Sequence, residues 1–494
     1  MNSLTSGGSQ DARRFPEGFV WGVGTSSYQI EGAVDEDGRG RSIWDTFART
    51  PGKVNRGDTG DIACDSYHRL DDDIALLEGL GVGAYRFSVS WPRVLPSGSG
   101  SVNQAGLDYY RRLVDALVQH GIKPVATVYH WDLPQALEDR GGWASRDTAL
   151  AMGELAGVLA EALGDQVAMW ITINEPLQTV QQGYLNGSHA PGRRDPTLAA
   201  AAIHHIMLAH GYATAALRAG ASGAIVGPTM DTQPFNALDE DATAAALALD
   251  AEYNRVYLDP VLRGSYPADL RADLMPPDEL IKDGDMALIS APIDFLGLNY
   301  YRPHYLRSGD WADLRLGEHP VAGWPGAVHY MPPDLPRTVM GWAVVPEGLR
   351  DLLIRLDRES GALPIYITEN GCAADDYITP EGTVDDHERI AYIHGHLEAV
   401  LEALAAGVNV AGYFHWSLMD NFEWAEGYRR RFGLHYVEFG SGRRLAKRSA
   451  AFYREVAITN TLVPEPALAA PGRALADSGQ RGGDAELPEA PAAV

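Results

Sequence analysis

Hydrophobic and polar positions along the chain alternate between short β-branched or aromatic runs and longer stretches with helical spacing. Eight short runs are nearly continuous in apolar character, as expected of parallel strands that are covered on both faces. Ala- and Leu-rich stretches with a helical period lie between many of them, for example at 106–121 and 346–361. Strand followed by helix, repeated eight times, predicts an α/β fold with a single (β/α)8 TIM barrel. The eight runs are FVWGVGTSS, AYRFSVSW, KPVATVYHW, AMWITINEP, AIVGPTM, FLGLNYY, PIYITENG and VAGYFHWSL.

Polar side chains accumulate where several of these runs end. Glu175 ends the fourth run in ITINEP, and Glu369 ends the seventh in ITENG. Enzymes built on such barrels carry their chemistry at the carboxyl ends of the strands, so closing the barrel brings both carboxylates to one mouth. The other polar or aromatic residues at run ends are His130, Trp131, Asn174, Asn299, Tyr301, Asn370 and Trp416.

Two carboxylates facing each other over a pocket are suited to cleavage of a glycosidic bond. One carboxylic acid protonates the departing oxygen, and a carboxylate either attacks the anomeric carbon or activates water, at separations of about 5 to 5.5 Å or 6.5 to 9.5 Å respectively. The residue pattern leaves both mechanisms open. At about 5 Å and an effective dielectric constant near 20, the charges repel by roughly 3 kcal/mol, which raises the pKa of one carboxyl by about 2. Aromatic side chains stack on sugar faces, and Asn, Gln and His supply neutral donors and acceptors for hydroxyls.

Composition and charge narrow the class of protein. The 494 residues are 45% hydrophobic and include 11 Trp and 22 Tyr, which is enough to bury a large core. A net charge of −26 disfavours nucleic acid and anionic membrane surfaces as partners. The sequence begins without an apolar segment of signal length and contains no uncharged run of membrane-spanning length, so we expect a cytoplasmic protein.

The two chain ends differ from the middle. Residues 1–14 are rich in Ser and Gly, and residues 464–494 consist largely of Ala, Pro and Gly with few large apolar side chains. We expect both ends to be flexible. The barrel is predicted to occupy residues 15–463 as one domain, because no low-complexity linker interrupts them.

Neither a metal nor a cofactor is expected. Cys64 and Cys372 are too few for a disulfide framework and lack metal-ligand spacing, so both are predicted to pack as small hydrophobes. His204, His205 and His210 contain no pair at i, i+4, and a packed helix is the favoured interpretation.

The motifs follow one another in the order of a known family. FPEGFVWGVGTSSYQIEG, YRFSVSWPRVLP, HWDLPQAL, TINEP, GLNYY, ITENG and FHWSLMDNFEWAEGY resemble the successive signatures of glycoside hydrolase family 1, the β-glucosidases and their relatives. The resemblance runs from about Phe15 to the early 460s. It implies a retaining β-glycosidase that acts on a small-molecule β-glucoside or oligosaccharide, and it leaves open the preference among glucosyl, fucosyl and galactosyl residues. The oligomeric state is not predicted.

The resemblance also implies roles for individual residues. Glu175 matches the general acid/base and Glu369 the nucleophile, while Arg86 and Tyr301 match positions that contact the nucleophile. The substrate-binding residues are then Gln29, His130, Asn174, Glu423 and Trp424 around the sugar hydroxyls, Trp416 as the stacking floor, Asn299 beside the site, Trp342 on the aglycone side, and Trp131 and Phe432 in the same pocket.

Two alternatives remain beside the neutral-sugar glycosidase. A 6-phospho-β-glycosidase would need cations near Glu423, which Arg429, Arg430 and Arg431 could supply. A non-catalytic carbohydrate-binding barrel would keep the pocket and lose a catalytic acid. Both glutamates are present, which weighs against this second alternative.

Overall fold

A computed structural model describes residues 13–315 and 317–464 of the chain. The predictions of flexible ends at 1–14 and 464–494 therefore fall almost wholly outside the described residues. The strands are β1 (Val20–Gly24), β2 (Ala84–Ser88), β3 (Lys123–Tyr129), β4 (Met169–Asn174), β5 (Val226–Asp231), β6 (Phe235–Ala237), β7 (Leu296–Asn299), β8 (His304–Ser308), β9 (His319–Pro320), β10 (Ala327–His329), β11 (Ile365–Asn370), β12 (Val410–Trp416), β13 (His435–Glu438) and β14 (Arg443–Ala446).

The helices alternate with the barrel strands. They are α1 (Ser27–Ile30), α2 (Ile43–Ala48), α3 (Leu70–Leu80), α4 (Trp91–Val94), α5 (Gln104–Gln119), α6 (Gln135–Glu138), α7 (Arg146–Leu163), α8 (Pro176–Gln178), α9 (Pro196–Gly220), α10 (Thr243–Asp250), α11 (Val256–Arg263), α12 (Asp285–Ile289), α13 (Pro346–Ser360), α14 (His387–Ala405) and α15 (Arg448–Thr459).

Eight parallel strands form a closed barrel in the order β1-β12-β11-β7-β5-β4-β3-β2, and β1 closes it by pairing with both β12 and β2. These strands coincide with the eight runs read from the sequence, so the predicted (β/α)8 barrel is confirmed. Their residues are almost entirely buried, as expected where helices cover the outer face and side chains fill the interior.

Side-chain direction alternates along the strands and separates two apolar layers. In β2, Ala84 belongs to a cluster inside the barrel, whereas Tyr85 and Phe87 belong to the larger cluster between strands and helices. Arg86 points inward again, because its Nε donates to Thr127 Oγ1 on β3 at 3.3 Å. The interior is therefore apolar at one level and polar toward the carboxyl ends. The buried apolar residues of the interior cluster are Ala84, Val125, Met169, Ile171, Phe295 and Phe414.

Proline and capping residues fix where the longest helix begins. Pro196 occupies the first position of α9, and the Asp195 carboxylate accepts from the backbone N–H groups of Thr197 and Leu198. His204, His205 and His210 are buried on this helix, so the packed helix predicted for them is observed. Cys64 and Cys372 are buried and free, as predicted.

Two small sheets were not predicted. One has the strand order β6-β8-β10-β9, and the other is the antiparallel pair β13-β14. The first is attached where β5 and β7 end, since β6 and β8 begin only a few residues beyond them. Within 13–315 and 317–464, no helix combines the length and apolarity needed to cross a membrane.

Candidate active site

A cavity of about 350 Å³ opens at the carboxyl ends of the barrel strands. Its walls contain most of the residues predicted from the sequence: His130, Trp131, Glu175, Asn299, Tyr301, Trp342, Glu369, Trp416, Glu423, Trp424 and Phe432. Three others, Gln29, Arg86 and Asn174, are fully buried and lie behind this wall, where they contact residues that line it.

Glu175 reaches the mouth because the chain turns sharply after β4. Its backbone is left-handed, with φ 48° and ψ 66°, and Pro176 begins α8 directly after it. Such a conformation costs about 1–3 kcal/mol and persists only where surrounding contacts hold it. Here the Glu175 N–H donates to Thr229 O at 3.0 Å, and Asn299 Nδ2 donates to Glu175 Oε1 at 2.6 Å.

The surroundings of Glu175 favour its protonated form. Burial raises the pKa of Glu175 well above its usual value, and the nearby charges of Asp231 and Glu369 raise it further. The hydrogen bond from Asn299 and the charge of Arg86 oppose this change in pKa only in part. The side chain can therefore hold a proton near neutral pH.

Glu369, in contrast, is held by a cation and a hydroxyl. Arg86 Nη1 donates to Glu369 Oε1 at 2.5 Å, and Tyr301 Oη donates to Glu369 Oε2 at 2.7 Å. Burial and the charge of Glu369 raise the pKa of Tyr301 well above its usual value, so the phenol keeps its proton and remains a donor. Both contacts stabilise an ionised Glu369.

Asn174 connects the two carboxylates. Its Oδ1 accepts from Arg86 Nη2 at 2.5 Å and from Asn299 Nδ2 at 3.1 Å, and its Nδ2 donates to His130 Nε2 at 3.1 Å. Burial and the charge of Arg86 lower the pKa of His130 well below its usual value, so the imidazole is neutral. With Nε2 as the acceptor, Nδ1 carries the proton, and it is buried without a partner among the described protein atoms.

Aromatic side chains form two groups around the carboxylates. In the first group the His130 ring is stacked near the rings of Trp416 and Trp424, with ring centroids 5.8 and 6.0 Å apart. In the second group Trp342 packs edge-on to Tyr301 with centroids 5.6 Å apart, and Phe432 lies beside both. Trp416 also shares an apolar cluster with Phe432, against which Tyr301 and Trp342 pack, so the two groups adjoin.

Glu423 faces the first aromatic group. Burial raises its pKa to about 8, and the charges of Glu369 and Glu426 contribute in the same direction. Gln29 Nε2 lies 3.4 Å from Glu423 Oε2 and donates closer hydrogen bonds to Asn421 Oδ1 and Phe422 O. Gln29 thus anchors the loop that carries Glu423.

Several residues of the cavity wall were missed from the sequence. Asp231 ends β5 and accepts from Gln178 Nε2 at 2.7 Å and from Gln233 Nε2 at 3.2 Å. Burial raises its pKa to about 7. Its position directly after the run AIVGPTM repeats the signal that identified Glu175 and Glu369. The other missed wall residues are Gln182, Ser188, His189, Thr232, Arg302, Met340, Ala425 and Glu426.

Comparisons with known proteins agree with this geometry. The model of glycosyl hydrolase family 1 matches residues 11–462. A protein named Beta-glucosidase A, from Thermotoga maritima, is 44% identical over 458 residues, covering 92% of this chain and 99% of its own length. A protein from Bifidobacterium breve, named bifunctional beta-D-glucosidase/beta-D-fucosidase, is 45% identical over 89% of this chain and 97% of its own.

Solved structures show the same likeness. A β-glucosidase from Thermotoga maritima in complex with deoxynojirimycin superposes with a TM-score of 0.85 at 44% identity, covering 91% of this chain and all of that one. The chain belongs to glycosyl hydrolase family 1 and is a glycosidase, as its motifs predicted. The roles assigned to individual site residues remain predictions.

Proposed function

We propose that the protein is a retaining β-glucosidase, which releases terminal non-reducing β-D-glucosyl residues from glucosides and oligosaccharides through a covalent glycosyl-enzyme. The observation that carries this proposal is the opposite environment of two neighbouring carboxyls. Glu175 is buried beside other carboxylates and favours its acid form, whereas Glu369 is paired with Arg86 and Tyr301. The names of the family relatives support the glucosyl specificity.

In the first step the two carboxyls act together. Glu175 donates its proton to the glycosidic oxygen as the bond to the anomeric carbon breaks, and Glu369 attacks that carbon from the opposite face. The aglycone leaves as an alcohol. Arg86 and Tyr301 hold the attacking carboxylate in place. The Tyr301 hydroxyl can remain hydrogen-bonded to Glu369 as the negative charge of the carboxylate is lost in ester formation.

In the second step Glu175 changes from a general acid to a general base. Once Glu369 is an ester, its charge is gone, so the repulsion that favours the proton on Glu175 becomes weaker. The pKa of Glu175 then falls, and its carboxylate takes a proton from water as that water attacks the anomeric carbon and the ester bond to Glu369 breaks, which restores the Glu369 carboxylate. Two inversions at this carbon retain the β configuration.

The sugar itself is proposed to bind at the wall of His130, Trp416 and Trp424. The buried His130 Nδ1–H has no partner in the described part of the chain, and a sugar hydroxyl can accept its hydrogen bond. Glu423 supplies further polar atoms on this side, with Gln29 behind its carboxyl group, and Trp416 offers an aromatic face to the ring. A β-fucoside is included in this proposal because a relative carries that activity in its name.

The 6-phosphoglycosidase alternative needs a free cation at the proposed sugar subsite, and none of the described residues provides one. Arg429 Nη2 and Arg430 Nε lie 2.8 and 3.2 Å from Glu426 Oε2, and Arg431 Nη1 lies 2.6 Å from Asp420 Oδ2. These guanidinium groups are already compensated. A phosphate dianion at this place would face Glu423 and Glu426 without a new partner, so neutral sugars are favoured.

Initial rates on a panel of substrates test the proposal. We expect hydrolysis of nitrophenyl β-glucoside and cellobiose, with nitrophenyl β-fucoside and β-galactoside defining the specificity at the 4- and 6-positions. A purified, folded protein that binds glucosides without cleaving them would instead support the non-catalytic barrel.

The pH dependence of hydrolysis is expected to respond to Asp231. The charge of Asp231 raises the pKa of Glu175, so Asp231→Asn lowers that pKa and Glu175 loses its proton at lower pH. The alkaline limb of kcat/KM should move to lower pH. Asp108→Asn, an exposed carboxylate paired with Arg111, is the matched control and should leave the limb in place. An unmoved limb, or one displaced to higher pH, in Asp231→Asn would contradict the proposed coupling.

A further inference from the structure

Arg302 is the one arginine in the described cavity wall and is set apart by its surroundings. Its guanidinium lies over the Trp342 ring, 5.1 Å from the ring centroid, and forms no ion pair with any described residue. Burial lowers the pKa of Arg302 to about 10, and only the nearby Tyr253 acts in the opposite direction. A partly buried cation without a carboxylate is costly unless a ligand compensates it.

The other guanidinium groups around the mouth are all compensated. Arg86 pairs with Glu369, Arg429 and Arg430 pair with Glu426, and Arg431 pairs with Asp420. The charge of Arg302 lowers the pKa of His304 and His329 further, and it partly opposes the rise that burial causes in the pKa of Tyr253. The surroundings of Arg302 therefore combine a positive charge with neutral aromatic and imidazole side chains.

The backbone on both sides of Arg302 is fixed. Tyr301, immediately before it, donates to Glu369 at 2.7 Å. His304, two residues after it, begins β8, where its N–H donates to Pro234 O at 2.7 Å, and Phe235 of β6 is its parallel partner. The small sheet thus sets the position of Arg302 relative to Glu369, and a ligand need not order a mobile loop to reach it.

Arg302 lies on the Trp342 side of the cavity, which adjoins the proposed sugar subsite through the apolar cluster of Trp416 and Phe432. Trp342, over which it lies, packs with Tyr301 and Phe432, whereas His130 is near Trp416 and Trp424. Trp342 is assigned to the aglycone side by the family resemblance, and Met340 lines the same cavity. The unpaired cation then meets the leaving group and not the sugar.

We propose that Arg302 and Trp342 select a leaving group that combines an aromatic ring with a carboxylate, so that carboxyaryl β-glucosides are preferred substrates. This inference rests on the proposed β-glucosidase function. A guanidinium forms paired hydrogen bonds with a carboxylate, and Trp342 offers an apolar face to an aryl ring. One guanidinium compensates one negative charge. The remaining cavity carboxylates therefore favour a monoanion over a phosphate dianion.

The test compares two leaving groups of similar size that differ in charge. We expect kcat/KM for 4-carboxyphenyl β-glucoside to exceed that for the neutral 4-carbamoylphenyl β-glucoside by about tenfold, in keeping with a charge-assisted contact at a partly exposed site. Arg302→Met should reduce the ratio of the two values to about one, and Arg302→Lys should retain part of it. The ratio is the readout, because removing Arg302 also alters the packing of Trp342. Arg111→Met, an exposed arginine outside the cavity, is the control and should keep the wild-type ratio.

Three further outcomes separate this inference from the function on which it rests. Equal kcat/KM for the two glucosides in a wild type that cleaves nitrophenyl β-glucoside would overturn the inference alone. Failure to cleave any of the three glucosides would overturn both. Wild-type enzyme could instead favour nitrophenyl β-glucoside 6-phosphate and lose that preference in Arg302→Met. Arg302 would then bind an anionic group on the sugar and not on the leaving group, which also overturns the inference.

Discussion

Glu369→Gly is expected to lose hydrolysis of nitrophenyl β-glucoside by a factor on the order of 10⁴ or more, because the variant lacks the carboxylate that forms the glycosyl ester. The barrel should remain folded, since Glu369 lies at the end of β11 and not in the apolar layers. Azide occupies the space left by the carboxylate and attacks the same face of the anomeric carbon. With an activated β-glucoside the product should therefore be an α-glucosyl azide, identified by NMR.

Glu175→Gly is the matched variant for this experiment. The glycosyl-enzyme on Glu369 still forms from a substrate with a good leaving group, and azide then replaces water in the second step. The product should be a β-glucosyl azide. Exchanged configurations of the two azide products would reverse the assigned roles of Glu175 and Glu369. Full hydrolytic activity of either variant would show that the replaced glutamate has no catalytic role.

The second large effect is expected for phosphorylated substrates. We expect kcat/KM for nitrophenyl β-glucoside to exceed that for its 6-phosphate by about a hundredfold or more, because a dianion at the proposed sugar subsite meets the charges of Glu369 and Glu426, and no described residue there offers a free cation. Glu423 has a raised pKa of about 8 and can bind hydroxyls as a neutral donor and acceptor. Even protonated, it provides no positive charge for phosphate.

Glu423→Ser distinguishes two causes of this preference, the contacts to the glucose hydroxyls and the repulsion of the phosphate. The variant should lose glucoside hydrolysis through lost hydroxyl contacts and thereby narrow the preference, with little gain on the phosphorylated substrate, because Arg429 and Arg430 remain paired with Glu426. Comparable wild-type kcat/KM for the two substrates would contradict the neutral-sugar specificity and favour the 6-phosphoglycosidase.

The barrel could be predicted from the sequence because its strands are short, apolar and evenly separated by helices. The carboxyl ends of all eight strands meet at one mouth, so the position of Glu175 and Glu369 in the sequence already brought them together. The wall residues His130, Tyr301 and Trp416 follow from the same rule. The local sequence pattern and the closure of the barrel are enough to predict that these residues meet in one site.

The remaining features depend on contacts between distant segments. Arg302 follows GLNYY without any local signal, and its importance comes from the lack of a carboxylate around it in three dimensions. The small sheet of β6, β8, β10 and β9 has strands too short to produce a clear period. The hydrogen bonds from Gln29 to Asn421 and Phe422 join residues 392 and 393 positions apart in the sequence, so no local pattern could predict them. Asp231 could have been found, because it ends a predicted strand as both catalytic candidates do.

Trapping of the covalent intermediate tests the proposed mechanism most directly. A 2-deoxy-2-fluoro-β-glucoside with a good leaving group should react once and stop, because the fluorine destabilises the charged transition state of both steps and the activated leaving group rescues only the first. Peptide mass spectrometry should then find the fluorosugar on Glu369 in ITENG. Labelling at any other residue, or full turnover of a competent enzyme without a covalent adduct, would contradict a retaining mechanism through Glu369.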